Sequence, residues 1–459
     1  MRKTNCSRRA VTRRAASLLL AAAALLLGAC AGTDGDDSFT APDRTVIGIT
    51  DTAEPTGTQT GADETREVIT APDTLPGIIT AENGTDKETD PAEETTRRDV
   101  TTTPPSVYVE PVRLSFIGMG DNIIYGSTFR QSDTGGGKYD FKPKYKGVAS
   151  MIADADIAFV NQETPMCGEK YGYYTYPQFN TPQDMGRDLV TLGFDVITFA
   201  NNHMADMGYN GRKCLSDMMD FTDTLDAFVV GLYRNFEDFE NIRVYEREGV
   251  RIAFLAYTYG TNLYKKQTEP EKLDGVYIPV FDEETIERQV KAAREISDLI
   301  IVSIHWGEEG SFKPTEEQER YAHLMADLGV DVILGHHPHV VQKIEWIGGQ
   351  NGHKTLCYYS LGNGLNAQDE LKNMVGITAS FDILKDNHGA WVENASCIPT
   401  FSVQTPRYKN QRLILLSDLT DSICEQHHCN VTDQKVTKEK AYKIITSNIS
   451  GEFLPDYLR

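Results

Sequence analysis

An α/β layered domain is the fold class this sequence predicts, and three observations predict it. Six short apolar runs have the length and composition of strands covered on both faces: VRLSFIG (112–118), DIAFV (156–160), FDVITFA (194–200), RIAFLAY (251–257), DLIIVSI (298–304) and DVILG (331–335). Helix-like segments lie between them, the alternation expected of strands and helices packed in layers. After residue 340 the pattern changes to KIEWIGG, TLCYYSLG, ITASFDIL and WVENASCI, separated by Gly, Asn and Asp turns. A second, more antiparallel sheet is therefore expected.

The helical segments follow in order. YKGVASMIADA (145–155) precedes the second run, and GYNGRKCLSDMMDFTDTLDA (208–227) follows the third. EETIERQVKAAREIS (283–297) precedes the fifth. TEEQERYAHLMADLG (315–329) precedes the sixth, opening on a Thr315-to-Gln318 capping box and closing on Gly329. In the last stretch, VTKEKAYKIITSNI (436–449) reads as one amphipathic helix, packed on the domain or contacting a membrane partner.

The chain divides into parts that cannot all fold, so its 459 residues overstate the domain count. Residues 1–30 carry six Lys or Arg and no acid, with an apolar stretch from Ala15 to Ala29. That stretch is shorter than the roughly 18–20 residues that cross a bilayer, which favours an export signal over a spanning helix. It closes on Leu27-Gly28-Ala29-Cys30, which resembles a bacterial lipobox, with Cys30 as the lipidated first residue of the mature protein. Acyl chains on Cys30 would anchor the protein to the membrane without spanning it. Residues 31–110 have a net charge of −13, repeat the phrase TAPD and lack aromatics between Phe39 and Tyr108. Such a segment buries too little apolar surface to offset its ordering entropy, so a disordered, acidic, Thr/Pro-rich tether is expected. The expected divisions are then a domain over 111–401 and an extension over 402–459.

The whole chain carries −22, and residues 111–459 retain −15 of it. A surface this acidic repels polyanions, which argues against nucleic acid as a partner and requires a local positive centre for any anionic substrate. Cysteine use agrees with export. Setting aside Cys6 and Cys30 leaves Cys167, Cys214, Cys357, Cys397, Cys424 and Cys429, and six thiols allow fifteen pairings. Cys424 and Cys429 are close enough for a local disulfide. The run CEQHHC also puts His427 and His428 between two thiols, but no second ligand pair lies nearby, so a disulfide or free thiols is the stronger reading than zinc.

Polar residues concentrate where the runs end: Gly120-Asp121-Asn122, Asn161-Gln162-Glu163, Asn201-Asn202-His203, His305-Trp306-Gly307-Glu308-Glu309 and Gly335-His336-His337-Pro338-His339. In open α/β sheets ligands bind beyond the carboxyl ends of the strands, so these clusters can converge on one crevice. Taken singly, Asp121 reads equally well as a turn aspartate, and His203 better as a hydrogen-bonded core histidine. Together, carboxylates, an amide and neutral imidazoles are a donor set for manganese, iron or zinc, held as one or two divalent ions. His337 and His339 have a spacing that can put both rings on one side of an extended turn, with Pro338 stiffening it. His336 alternates away and is expected to support them.

The order GMGDNI (118–123), FVNQETP (159–165), FANNHMADMG (199–208), VSIHWGEEG (302–310), LGHHPHVVQ (334–342) and YSLGNG (359–364) resembles the bacterial poly-γ-glutamate capsule-synthesis (CapA) family. That family is a branch of the calcineurin-like metallophosphoesterases. The resemblance spans residues 112 to about 365 and implies a four-layer αββα sandwich. It also implies metal ligation by Asp121, Glu163, Asn202, His305, His337 and His339, with His203 as general acid, which Asp206 would orient. Asn161, Glu309, His336 and Asn363 are expected to back the ligands or face substrate. The chain departs from the wider superfamily at Asp121-Asn122-Ile123, where Asp-x-His is usual, and at Asn161 and Glu163, which stand in place of a GD-x-x-D aspartate.

Two classes of function are open at this point. One is a surface-anchored, metal-dependent hydrolase acting on a phosphoester or a γ-glutamyl amide. The other is a non-catalytic component of capsule assembly or export, working with membrane proteins, that grips an anionic polymer such as poly-γ-glutamate. Trp306, Tyr358 and Tyr359 could wall a polymer groove, although aromatics beside strand ends are more often core.

Overall fold

The computed structural model describes residues 110–207, 213–263, 273, 276–432 and 434–459. The expected signal with Cys30, and all of the expected tether except Glu110, lie outside the described residues. The first half of the fold is built on β1 (Val112–Asn122), β2 (Ile157–Gln162), β3 (Val196–Thr198) and β4 (Phe228–Val230), paired in parallel in that order. Period-two alternation divides their side chains between two cores. Leu114, Phe116, Ile157 and Phe159 face one side; Ile117, Met119, Ala158 and Val160 face the other. The latter meet Ile152 of α1 (Ala149–Asp154), Met185 and Leu189 of α2 (Asp184–Leu192), and Leu215 and Met218 of α3 (Cys214–Thr222).

The second sheet contains β5 (Val244–Arg247), β6 (Val250–Thr258), β7 (Leu299–His305), β8 (Val332–His336), β9 (Ile344–Gly348) and β10 (Lys354–Tyr358). Its spatial order is β9-β10-β8-β7-β6-β5, parallel through β10, β8, β7 and β6 and antiparallel at both edges. The parallel strands are apolar throughout because α4 (Glu283–Ile296) and α5 (Glu316–Asp327) cover the face away from the first sheet. The expected Thr315–Gln318 capping box forms, and Gly329 follows α5 at φ +87°.

The chain then returns to the first sheet as β11 (Val375–Asp386), β12 (Gly389–Thr405) and β13 (Lys409–Leu415), all antiparallel, giving the order β13-β12-β11-β1-β2-β3-β4. Phe116 stacks on Phe381 at 4.5 Å within this sheet, and Phe159 stacks on Phe254 of the second sheet at 6.4 Å. Two sheets thus pack face to face with helices outside each, the expected four-layer αββα sandwich.

Several expectations need adjustment. The late hairpins do not build a separate sheet; they extend both sheets at their edges. The division expected at residue 401 falls within β12, and β13 continues that sheet, so the start of the extension is structurally part of the domain. The helix α2 and the short strands β4 and β5 were not among the expected elements; the strands are only three and four residues long, too short to carry a pattern. The terminal helix α6 (Lys438–Asn448) buries Ala441 and Ile445 against the core. No described helix is long and apolar enough to cross a membrane. Cys424 and Cys429 are buried free thiols, without the local disulfide that their spacing allowed. His427 is engaged through both ring nitrogens, Nε2 with the Ser402 carbonyl and Nδ1 accepting from the Cys429 amide, which leaves neither for zinc.

Where β1 pairs with β2 the register slips between Met119 and Asp121, a bulge that re-aims Asp121 at the sheet end. Gly120 sits at this slip, and a Cβ there would lie 2.0 Å from the Gly362 carbonyl oxygen. The Asp121 amide donates to that same oxygen. Gly120→Ala therefore forces two backbones apart. It is expected to destabilise the fold by about 2–3 kcal/mol, read as a lowered denaturation midpoint, with weakened metal binding.

Candidate metal centre

The carboxyl ends of the parallel strands in both sheets bring the polar clusters together. Asp121 and Asn161 are register partners across β1 and β2, and His305 and His336 are partners across β7 and β8. Glu163 follows β2, the Asn201-Asn202-His203 turn follows β3, and Asn363 bridges to Asp121 from the loop after β10. All six expected ligands are buried, with Asp121, Glu163 and His305 fully so.

The two carboxylates have opposite surroundings. Asp121 is saturated. Its Oδ1 accepts from Asn161 Nδ2 at 2.8 Å and His336 Nδ1 at 3.1 Å, and its Oδ2 accepts from the His337 amide at 3.0 Å, with His339 Nδ1 at 3.2 Å. Neither oxygen of Glu163 has a hydrogen-bond partner. Yet Glu163 Oε1 lies 3.6 Å from His339 Nε2, 3.8 Å from His305 Nε2 and 3.9 Å from His203 Nε2. His305 Nε2 is 3.0 Å from Asn202 Oδ1, and the His305 and His337 rings are 4.8 Å apart. His339 Nδ1 donates to Asn363 Oδ1 at 3.0 Å, which aims Nε2 at Glu163.

The turn carrying His337 and His339 is not extended. Both residues are left-handed, at φ 96° and 56°, a conformation that costs a non-glycine residue about 1–3 kcal/mol and persists only where the surroundings over-determine it. Here the His337 amide bond to Asp121 and the burial of both rings supply that constraint.

Buried polar atoms normally have partners, so a cluster of orphans needs a physical reason. Both Glu163 oxygens, His305 Nδ1 and His337 Nδ1 are orphaned at this one edge. Potential ligand atoms of Asp121, Glu163 and His339, and of Glu309, His337 and His339, lie within 4.8 Å of one another in each trio. The residues present therefore fit a divalent cation, and two trios sharing His339 provide for one ion or two. Their mixed nitrogen and oxygen donors suit a borderline metal. Ile123 is buried where an Asp-x-His motif would supply one more imidazole.

Electrostatics agree with a missing positive charge. Burial pushes the Glu163 carboxyl well above its ordinary range, and burial pushes His305 well down and His337 down to about 3. Burial also opposes charge on His339, but Glu163 and Asp121 outweigh it and raise His339 to about 10. The Glu163–His339 pair thus keeps a proton at neutral pH. A cation bound between them must displace it, so metal affinity is expected to rise about tenfold per pH unit from neutrality towards pH 10. Calorimetric titration in buffers of different ionisation enthalpy counts the released proton. Affinity independent of pH contradicts this arrangement.

His203 stands beside the ligands. Its Nδ1 donates to Asp206 Oδ2 at 2.7 Å, Asp206 Oδ2 is itself held by the Phe179 amide at 2.9 Å, and Nε2 is left facing Glu163. The Phe179 ring edge packs on the imidazole at 4.8 Å. Asn161 and His336 fall behind Asp121, Asn363 falls behind His339, and Glu309 lies exposed near His337 and His339. Trp306, Tyr358 and Tyr359 are buried and do not wall a groove; the Trp306 indole donates to the Tyr359 carbonyl. Sequence reasoning missed Tyr259, whose ring lies 4.8 Å from that of His337, and Asn262, 3.1 Å from His203 Nδ1 and 3.2 Å from Asn202 Nδ2. Both follow β6, and the strand-end rule applied to that run would have found them.

Comparison with known proteins adds four findings. The family described as "Bacterial capsule synthesis protein PGA_cap" matches residues 115–368. The chain is 30% identical to the "Capsule biosynthesis protein CapA" of Bacillus anthracis over 235 residues, 48% of this chain and 52% of that protein. It is also 30% identical to the "PGA biosynthesis protein CapA" of Bacillus subtilis (strain 168) over 263 residues, 53% of this chain and 62% of that protein. It thus spans between half and two thirds of the length of these relatives. Among solved structures it is similar to the calcineurin-like phosphoesterase YfkN from Bacillus subtilis, at 14% identity and a TM-score of 0.37, covering 63% of this chain and 90% of that one. The family match covers more than half the chain and every strand-end cluster described above, and on that ground the chain belongs to the bacterial capsule synthesis protein family PGA_cap.

Proposed function

We propose that this protein is an exported, lipid-anchored component of capsule synthesis that processes an anionic polymer, poly-γ-glutamate, through a metal-dependent hydrolase-type site. The observation that carries the reading is the buried, unpartnered Glu163 carboxylate facing three imidazoles. Asp121, Glu163, Asn202, His305, His337 and His339 would hold the cation, with manganese, iron and zinc the candidates. A bound divalent ion would supply positive charge to a negatively charged transition state and acidify water. This chain's own contribution is proton transfer and selection. His203 Nε2 protonates the departing atom, and Asp206 keeps the proton of Nδ1 in place. The acidic surface repels an anionic chain except at this centre, so the polymer is drawn to one place. The name of the Bacillus subtilis relative, "PGA biosynthesis protein CapA", supports the polymer, and Leu27-Gly28-Ala29-Cys30 supports the anchor.

The test is to supply the purified protein with manganese, iron or zinc, together with poly-γ-glutamate or a generic phosphodiester, and to follow product. Polymer cleavage that needs the metal supports the reading. Cleavage of the phosphodiester alone makes the protein a phosphoesterase. Metal-dependent polymer binding without product makes it an assembly or export component.

A further inference from the structure

Cys167 and Cys214 are separated by 47 residues, yet their sulfurs lie 2.8 Å apart, both fully buried. The remaining distance to a covalent S–S bond of about 2.05 Å is small. We propose that Cys167 and Cys214 form a disulfide in the mature protein that staples the segment following Glu163 to the start of α3. The closed loop contains Asn202, His203 and Asp206, so the bond would hold those residues in place against Glu163.

Position distinguishes this pair from the other four thiols. Cys167 lies four residues after Glu163, and its amide is fixed by Asn180 Oδ1 at 2.8 Å. Cys214 is the first residue of α3 and lies eight residues after Asp206. Burial raises the Cys167 thiol well above its ordinary value, so this thiol holds little reactive thiolate once folded. The bond must therefore form while the chain is still folding, and once closed it is shielded from reductants. Two thiols become one disulfide, and their two electrons and two protons pass to the disulfide of an oxidising thiol-exchange protein, which becomes a dithiol, or to oxidised glutathione, which becomes two molecules of glutathione.

The experiment refolds the full chain from denaturant with reduced and oxidised glutathione, blocks remaining thiols with iodoacetamide, and digests without reductant. A peptide carrying Cys167 joined to one carrying Cys214, lighter than the separate peptides by two hydrogens, is expected. Alkylation of both cysteines, or the joining of Cys167 to any other, overturns the proposal. For the stapling role, refolding from denaturant in dithiothreitol instead of glutathione is expected to lower the melting temperature by on the order of 10 °C and to leave the C167S/C214S double variant unmoved. Equal shifts in both proteins overturn that role. Because refolding takes place in glutathione, failure of the bond is distinguishable from failure of the export reading.

Discussion

Glu163→Gln raises the melting temperature of the chelated protein and abolishes the further rise that manganese or zinc produces in the parent. Both effects follow from one carboxylate. Glu163 is fully buried, neither oxygen accepts a hydrogen bond, and burial drives its carboxyl well above the usual range. Replacing a buried, poorly compensated charge by a neutral group of the same shape is worth on the order of 2 kcal/mol of stability. In the parent, a cation at a hundred times its dissociation constant adds about 2.7 kcal/mol by binding only the folded state. The variant lacks the anionic donor and loses that gain. His339→Ala is the control of opposite sign. It leaves Asp121 and Glu163 facing each other without their shared cation, so the chelated protein is destabilised by about 3–5 kcal/mol while metal stabilisation is again lost. A structural ion-pair network predicts that both substitutions destabilise, so thermal melts with and without chelator decide between the readings. An E163Q protein that melts lower than the parent, and still responds to metal, would rule out the cation site.

The cost of burying such a polar cluster is also the reason why so much of this site is legible in the sequence alone. A core that tolerates buried Asp121, Glu163, His305, His337 and His339 must use them for something, and apolar strands ending in such residues are conspicuous in a linear text. Strand ends were legible because the parallel strands carry a continuous apolar signal and the polar residue that stops it is the next letter. Conformation at those ends was not legible. No pattern in HHPH announces that His337 and His339 are left-handed, since that depends on the Asp121 carboxylate arriving from β1, more than two hundred residues away. Asn262 could have been found by its place after β6, but its partners, Asn202 and His203 on another loop, could not. The Cys167–Cys214 approach is tertiary as well, one of fifteen pairings that spacing could not separate. Trp306 was ambiguous because its neighbours in sequence are site residues, whereas its indole reaches away from them to the Tyr359 carbonyl.

His203→Ala is expected to lower turnover of the cleaved substrate by about 10²–10⁴-fold while leaving metal affinity within a few-fold of the parent. The separation rests on geometry. His203 faces Glu163 at 3.9 Å, the longest of the three imidazole approaches, and its other nitrogen is committed to Asp206 at 2.7 Å. A residue held by a carboxylate behind it and pointing past the ligands is placed to deliver a proton, since the Asp206 bond fixes the tautomer and steadies the imidazolium. Asp206→Asn leaves the ring present but free to take the other tautomer, so it should lower kcat with little change in KM, and by less than removal of the ring. A structural histidine behaves differently: its loss would lower the melting temperature and the metal affinity together. Unchanged turnover in a folded, metal-loaded H203A protein would return His203 to the role of a hydrogen-bonded core residue, packed on Phe179 and Asp206.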